Sequence, residues 1–165
     1  MKNKILISLL IFFINLNSVA EEVFIEAKKI SLDKDDSTSV FEDKVKVTTN
    51  NKTITSEYAK YNKTKGLIIL KKNVVAIDEL NNVIKTDYAE YHERDKFFIS
   101  RGATQIITSD NYKLEGSDII ADNNKKIIKS NQNSTLRDED DNIIYLSNFE
   151  YNGSTNIFKS VGFIK

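Results

Sequence analysis

Residues 56–75 read SEYAKYNKTKGLIILKKNVV and residues 86–105 read TDYAEYHERDKFFISRGATQ, so one pattern occurs twice, thirty residues apart. Strand-like segments at the same interval begin at Ala27, Ser56, Thr86, Gly116 and Leu146. Polar turn residues follow the same interval, at 50–51, 81–82, 110–111 and 141–142. Periods of this length are typical of stacked folding units. The sequence therefore predicts about five units of about 30 residues each.

Each unit is predicted to contain two or three β-strands. Ile, Val, Thr, Tyr and Phe are plentiful, and segments such as residues 41–47, FEDKVKV, alternate apolar with polar residues. The chain contains no proline, so no backbone amide is missing from a strand ladder. Nothing after residue 20 sustains an apolar period of 3.6 residues. We expect an all-β fold, an open, V-shaped β-jellyroll or solenoid-like stack of these units.

The alternation also predicts which side chains share one face of the sheet. A second marker, the apolar residue that leads each second strand, falls at Phe41, Leu70, Ile99, Ile128 and Phe158. Aligning the units on both markers predicts one continuous apolar strip. Its members are Ile30, Leu32, Phe41, Val45, Val47, Ala59, Tyr61, Leu70, Val74, Ala76, Ala89, Tyr91, Ile99, Ala103, Ile119, Ile128, Phe149, Tyr151 and Phe158.

The amino terminus has the pattern of a secretory signal peptide. Basic Lys2 and Lys4 precede an apolar run from Ile5 to Leu16, and small residues precede Glu21. The run is shorter than the roughly 20 residues that a spanning helix requires. We expect cleavage after Ala20, with an uncleaved amino-terminal anchor as the alternative, and a single domain over residues 21–165.

Charge and composition exclude some classes of protein. The chain has 24 basic and 24 acidic residues, and loss of Lys2 and Lys4 with the signal would give a net charge of −2. This balance gives no support for nucleic-acid binding, which would appear as a basic excess. There is no cysteine, so a secreted form would depend on burial and backbone pairing for its stability.

The residues that enzymes and metal sites require are scarce. The single histidine, His92, stands where the other units have Asp33, Asn62, Asp122 and Asn152, so a turn role is expected. The acidic run at residues 137–142 lacks the spacing of a calcium loop and coincides with a predicted hairpin turn. We expect no catalytic residues, no metal and no cofactor.

Tyrosines at positions 58, 61, 88, 91 and 151 raise the question of aromatic platforms for sugars. The alternation puts Tyr58 and Tyr88 on the outer face, where cross-strand packing is the expected role. The other three lie on the apolar face, where core packing and lipid contact remain alternatives.

The repeated pattern A-[DEK]-x-[AI]-x-[LY]-[DN], followed by apolar-x-x-[GN]-x-V, resembles the LptA/OstA-like family. It is represented here by Ala27 to Asp33 with Phe41 to Val47, and by Ser56 to Asn62 with Leu70 to Val74. The resemblance covers residues 21–165, although the pattern is degenerate, with Lys44 at one Gly/Asn position. The family comprises LptA, the periplasmic part of LptC and the amino-terminal domain of LptD.

The resemblance implies an open β-jellyroll that carries lipopolysaccharide across the periplasm without catalysis. The apolar strip would then shelter the acyl chains, and the edge strands would join head to tail with other Lpt jellyroll domains. Two alternatives remain open: the amino-terminal domain of an LptD-type outer-membrane protein, to which the absence of a cap after Phe158 points, and a structural β-repeat protein without a lipid ligand.

Overall fold

The computed structural model describes residues 23–33 and 37–160. The predicted signal peptide lies outside this part of the chain. Every regular element within it is a β-strand, which confirms the all-β class. The strands are β1 Phe24–Glu26, β2 Lys29–Asp33, β3 Thr38–Thr48, β4 Lys52–Asn62, β5 Leu67–Asp78, β6 Val83–His92, β7 Phe97–Ser100, β8 Ala103–Ile107, β9 Lys113–Ser117, β10 Ile120–Asp122, β11 Ile127–Ser130, β12 Ser134–Arg137, β13 Ile143–Leu146, β14 Phe149–Asn152 and β15 Ile157–Lys159.

All the strand pairs are antiparallel, and they form one continuous sheet with two lobes. We call them half-sheet 1, with strand order β2-β3-β4-β5-β6-β7-β10-β11-β14-β15, and half-sheet 2, with order β1-β3-β4-β5-β6-β8-β9-β12-β13. The long strands β3 to β6 run through both lobes. Within the described residues, the first and last strands of each lobe do not pair with each other, so the sheet stays open.

A line of irregularities separates the two half-sheets. The register shifts between Glu42 and Val45, between Thr55 and Tyr58, and between Lys71 and Val74, on successive strand pairs. Lys72 and Asn73 have positive φ angles there, of 65° and 51°. Bulges bend a strand and increase its twist. From β7 onwards the same line appears as breaks between strands.

The hairpin turns recur at a regular spacing at both ends of the strands. Positive φ angles, between 50° and 60°, occur at Ser37, Gly66, Lys96, Lys126 and Asn156. At the opposite end of the strands, Asn81, Asn111 and Asp141 have φ angles of 62–65°. Asn, Asp and Gly adopt this backbone conformation at low cost. Turn chemistry therefore sets the strand length of each unit.

Hydroxyl side chains support the backbone along the line of bulges. Ser56 Oγ donates to the carbonyl of Tyr58 at 3.0 Å, and Ser134 Oγ donates to the carbonyl of Gln132 at 3.1 Å. The Thr104 hydroxyl lies 3.0 Å from the Gly102 carbonyl. Bulges leave carbonyl groups outside the ladder, and a buried carbonyl without a partner is costly. Short hydroxyl residues therefore occupy buried positions in the middle of an apolar interior.

Candidate functional site

The inner face of half-sheet 1 carries two apolar rows of cross-strand neighbours. The first contains Leu32, Ser39, Tyr61, Ile68, Tyr91, Phe98, Ala121, Ile128, Tyr151 and Phe158. The second contains Ile30, Phe41, Ala59, Leu70, Ala89 and Ser100. Directly opposed side chains on one face are the closest neighbours in a sheet. These rows unite most of the positions predicted for the apolar strip.

Half-sheet 2 supplies the other wall of the interior. Its inner row contains Ile25, Val47, Ile54, Ala76, Ile84, Ile106, Leu114, Leu136 and Ile144. Only Val47 and Ala76 of this row were predicted from the repeat markers. The other residues of the row alternate in the same way, in the strand segments on the far side of each turn. Continuing the two-residue alternation through each turn would have predicted them from the sequence.

The two half-sheets face each other and touch at several points. Lys52, at the start of β4 in half-sheet 2, is 5% exposed, and its Nζ lies 5.1 Å from the ring centroid of Phe98 in half-sheet 1. Lys126 forms an ion pair with Glu79 across the same gap. A cavity between the lobes beside Asp122 has a volume of only about 10 Å³. In the centre, Ile54 of half-sheet 2 and Ile68 of half-sheet 1 are both fully buried, so the middle of the interior is filled by its own side chains.

Burial divides the predicted strip into three parts. Buried members are Phe41, Val45, Val47, Ala59, Leu70, Val74, Ala76, Ala89, Tyr91, Ile119, Ile128, Phe149 and Tyr151. Tyr61 and Phe158 are partly buried and pack against this core. Ile30 and Leu32 belong to the same rows but are 55% and 73% exposed, because β2 is the last described strand at that edge. The interior is thus packed in its centre and uncovered at the β2 edge.

The predicted positions of Ile99 and Ala103 are wrong by one residue. Ile99 pairs with Glu90 and Ile120, in an outward row, while its neighbour Phe98 faces the interior and is fully buried. Ala103 is exposed, and Thr104 takes the inward position. The prediction used a constant spacing of 29 residues from Leu70, but the inward counterpart of Leu70 in β7 is Ser100. A slip of one residue moves a side chain to the opposite face.

The predicted turn residues have purely local partners. His92 ends β6, and its Nε2 lies 3.6 Å from Glu90 Oε2 without a hydrogen bond. Asp138 accepts hydrogen bonds from the side chain and backbone of Asn142 at 2.9 Å, and the side-chain bond contributes most to lowering the Asp138 pKa. Within residues 23–33 and 37–160, no group of three or more acidic, His or Cys side chains is arranged to hold a metal ion.

Two interior tyrosines have raised pKa values. Burial raises the pKa of Tyr61 to about 12, and a 2.9 Å hydrogen bond from its hydroxyl to Glu93 Oε2 adds to the effect. Burial is also the main cause of the raised pKa of Tyr151, whose hydroxyl donates to Asn156 at 3.1 Å. Both hydroxyls remain protonated at neutral pH and act as hydrogen-bond donors at the rim of the interior.

No family model matches the chain, and no curated protein matches it significantly. Among solved structures, the chain is similar to LptH, the LptA-homologous periplasmic component of the conserved lipopolysaccharide transport device of Pseudomonas aeruginosa. The similarity covers 85% of this chain and 82% of LptH, with 13% identity and a TM-score of 0.34. At this identity and TM-score, the function has to be argued from the residues themselves. In the described part of the chain there is no helix that could span a bilayer.

Proposed function

We propose that this protein is a non-enzymatic periplasmic carrier of lipopolysaccharide, and that the acyl chains occupy the interior between the two half-sheets. The observation that carries the proposal is the pair of apolar rows that crosses half-sheet 1 and is uncovered at β2. Leu32 is 73% exposed, although it lies in the same row as the fully buried Tyr91. An uncovered end of an apolar interior is a point of entry for a fatty chain.

The energetics favour such a ligand once the half-sheets part. Moving an acyl chain out of water is favourable by about 0.8 kcal/mol per CH₂ group. The interior is filled in its centre, so loading displaces contacts between the lobes, among them that of Lys52 with Phe98. The bulges between the lobes are the natural line of bending, since a bulge already interrupts the ladder. In this proposal, acyl chains replace protein side chains as the partners of the apolar rows.

The same proposal assigns a role to the edges of the sheet. Strands β1 and β2 at one end, and β13 and β15 at the other, each pair on one side only within the described residues. An unpaired edge is a template for a further strand. Head-to-tail addition of other Lpt jellyroll domains would extend the apolar rows from one domain to the next. An LptD-type protein would use the same chemistry within a longer chain.

A structural β-repeat protein without a ligand is the second candidate. The observation that favours it is the full burial of residues such as Ile68, Leu70 and Phe98, which is the packing expected of an ordinary sandwich core. The two candidates differ in one respect that can be measured. A carrier exchanges these internal contacts for lipid, and a structural protein does not.

Binding of purified lipopolysaccharide to the protein tests the carrier function. We compare the wild type with Leu32→Asp and with the matched control Ser31→Asp, which changes the adjacent outward-facing side chain of β2. The wild type and the control should retain lipopolysaccharide after gel filtration, and Leu32→Asp should lose most of it, because a carboxylate in the apolar row opposes acyl burial. No retention by the wild type, or equal retention by all three proteins, would refute the proposal.

A further inference from the structure

A large groove lies on the outer face of the sheet, along the first three bulges. Its volume is about 1060 Å³, and it is lined by residues 42–46, 55–58 and 71–73, which we call the outer groove. Most of these side chains point away from the interior and are exposed. Bulges at the same level on neighbouring strands bend the sheet and produce this concave surface. The outer groove is therefore separate from the apolar rows described above.

Four lysines and three acids line the outer groove, which gives it a net charge of +1. Lys44, Lys46, Lys71 and Lys72 line it, against the acids Glu42, Asp43 and Glu57. Asp43 is already paired with Lys28 at 3.2 Å, and Glu57 accepts a hydrogen bond from Asn73 Nδ2 at 2.6 Å. Among the described residues, no ion pair involves Lys44, Lys46 or Lys72. Lys46 stands directly opposite Glu26 of β1 in the strand register, so Lys44 and Lys72 are the two ammonium groups best placed to bind an anion.

An aromatic surface lies beside these lysines. Tyr58, Lys71 and Tyr88 are direct cross-strand neighbours on the outer face. The Nζ of Lys71 lies 5.7 Å from the ring centroid of Tyr58 and 6.0 Å from that of Tyr88. This cation–π arrangement holds Lys71 across the strands. It also fixes the ring of Tyr58 at the side of the groove, where a flat apolar ligand surface can stack on it.

We propose that the outer groove binds an acidic saccharide, a sugar chain that bears phosphate or carboxylate groups. The unpaired lysines recognise the anionic substituents, and the ring of Tyr58 packs against the apolar face of a pyranose. Glu42 and Glu57 accept hydrogen bonds from sugar hydroxyls. A ligand with anionic groups alone would be repelled by these two carboxylates, so the mixture of lysine, carboxylate and tyrosine selects a sugar that is itself partly charged.

Titration of the protein with deacylated oligosaccharide from lipopolysaccharide tests this site. The probe keeps its phosphates and has no acyl chains, so binding does not depend on the proposed carrier function. NMR amide shifts should change at residues 42–46, 55–58 and 71–73 and saturate. The double variant Lys44→Gln/Lys72→Gln and the variant Tyr58→Leu should each weaken binding about fivefold or more. Tyr58→Phe, which keeps the ring, should bind like the wild type.

Matched control variants distinguish binding in the outer groove from a general attraction of the anionic probe to surface lysines. Lys113→Gln/Lys129→Gln removes the same charge from exposed positions outside the outer groove and should change the affinity by less than about twofold. Leu32→Asp should also bind the deacylated probe normally. Thermal unfolding establishes that each variant is folded. Equal binding of the dephosphorylated oligosaccharide, equal binding of inorganic phosphate alone, or shifts confined to other residues would each overturn the proposal.

Discussion

The rings of Tyr112 and Phe158 pack edge to face, with their centroids 5.4 Å apart, although they belong to different half-sheets. Tyr112 directly precedes β9 of half-sheet 2, and Phe158 lies in β15 of half-sheet 1. Phe158 also contacts Tyr151, at a centroid distance of 4.5 Å. This aromatic group closes the interior at the β15 end. At the opposite end Leu32 has no such cover, so the interior has one closed end and one uncovered end within the described residues.

Replacing Phe158 with Ala should lower the free energy of unfolding by about 1–3 kcal/mol, less than the full cost of a buried Phe because this side chain is only partly buried. Ile157→Ala, at a neighbouring position that is 50% exposed, is the matched control and should cost less than about 1 kcal/mol. Urea denaturation of both variants measures the difference. Equal costs would mean that the aromatic contact contributes nothing to closing the lobes.

Replacing Thr104 with Val should destabilise the fold through the buried hydroxyl group at the line of bulges. Thr104 Oγ1 lies 2.7 Å from Ser100 Oγ and 3.0 Å from the carbonyl of Gly102. Valine has nearly the same shape but no hydroxyl, so the Gly102 carbonyl loses its donor and Ser100 Oγ keeps only the hydrogen bond from the Ile119 amide. The expected cost is about 1–3 kcal/mol.

Thr135→Val is the control for that substitution, because Thr135 lies in a strand on the outer face and has no side-chain hydrogen bond among those found in the described residues. Its expected effect is within about 0.5 kcal/mol. Chemical denaturation compares the two variants. A cost for Thr104→Val no greater than that for Thr135→Val would show that the hydroxyl is dispensable at the bulge.

The stability of the protein should fall between about pH 10 and pH 12, and Tyr61 should contribute to the fall. Burial is the main cause that raises its pKa in the folded protein to about 12, from the ordinary value of 10.0. Below pH 10 the hydroxyl is protonated in both states, so its contribution is fully present. Between the two pKa values only the unfolded state ionises, so the folded state loses stability as the pH rises.

Tyr61→Phe should therefore flatten the decline of unfolding free energy between pH 10 and pH 12 relative to the wild type. Absorbance at the tyrosinate band should also lose one group that titrates near pH 12. Tyr145→Phe is the control, because Tyr145 is 56% exposed. An unchanged slope in Tyr61→Phe, or the same change in both variants, would contradict the assignment.

Sequence reasoning predicts the strands well because their signal is local. Each unit shows the two-residue alternation and the polar turn residues. Together these patterns predict the all-β class and most of the residues that face the interior. The error at Ile99 has a physical origin in the spacing between Leu70 and Ser100, which is one residue longer than between Phe41 and Leu70. A degenerate pattern does not reveal a single added residue, but that residue reverses the predicted facing of the side chains aligned from Leu70, which are Ile99 and Ala103.

The division into two half-sheets could not be predicted in the same way. It depends on bulges at 42–45, 55–58 and 71–74, whose residues are mostly polar and fit ordinary surface turns equally well. The difference in burial between Leu70 and Leu32 could not be predicted from the sequence either. Both fit the same apolar alternation, and what separates them is whether a further strand and an opposite lobe cover them, which is a property of tertiary structure.

Photo-crosslinking from two adjacent residues of β7 tests the central claim most directly. A p-azidophenylalanine at position 98 replaces an inward ring of similar shape, and the same group at position 99 faces outward on the next residue. If acyl chains enter the interior, irradiation in cells that make lipopolysaccharide should yield a lipopolysaccharide adduct from position 98 and little or none from position 99. Adducts from position 99 alone, or from neither position in a folded and exported protein, would contradict a lipid-carrying interior.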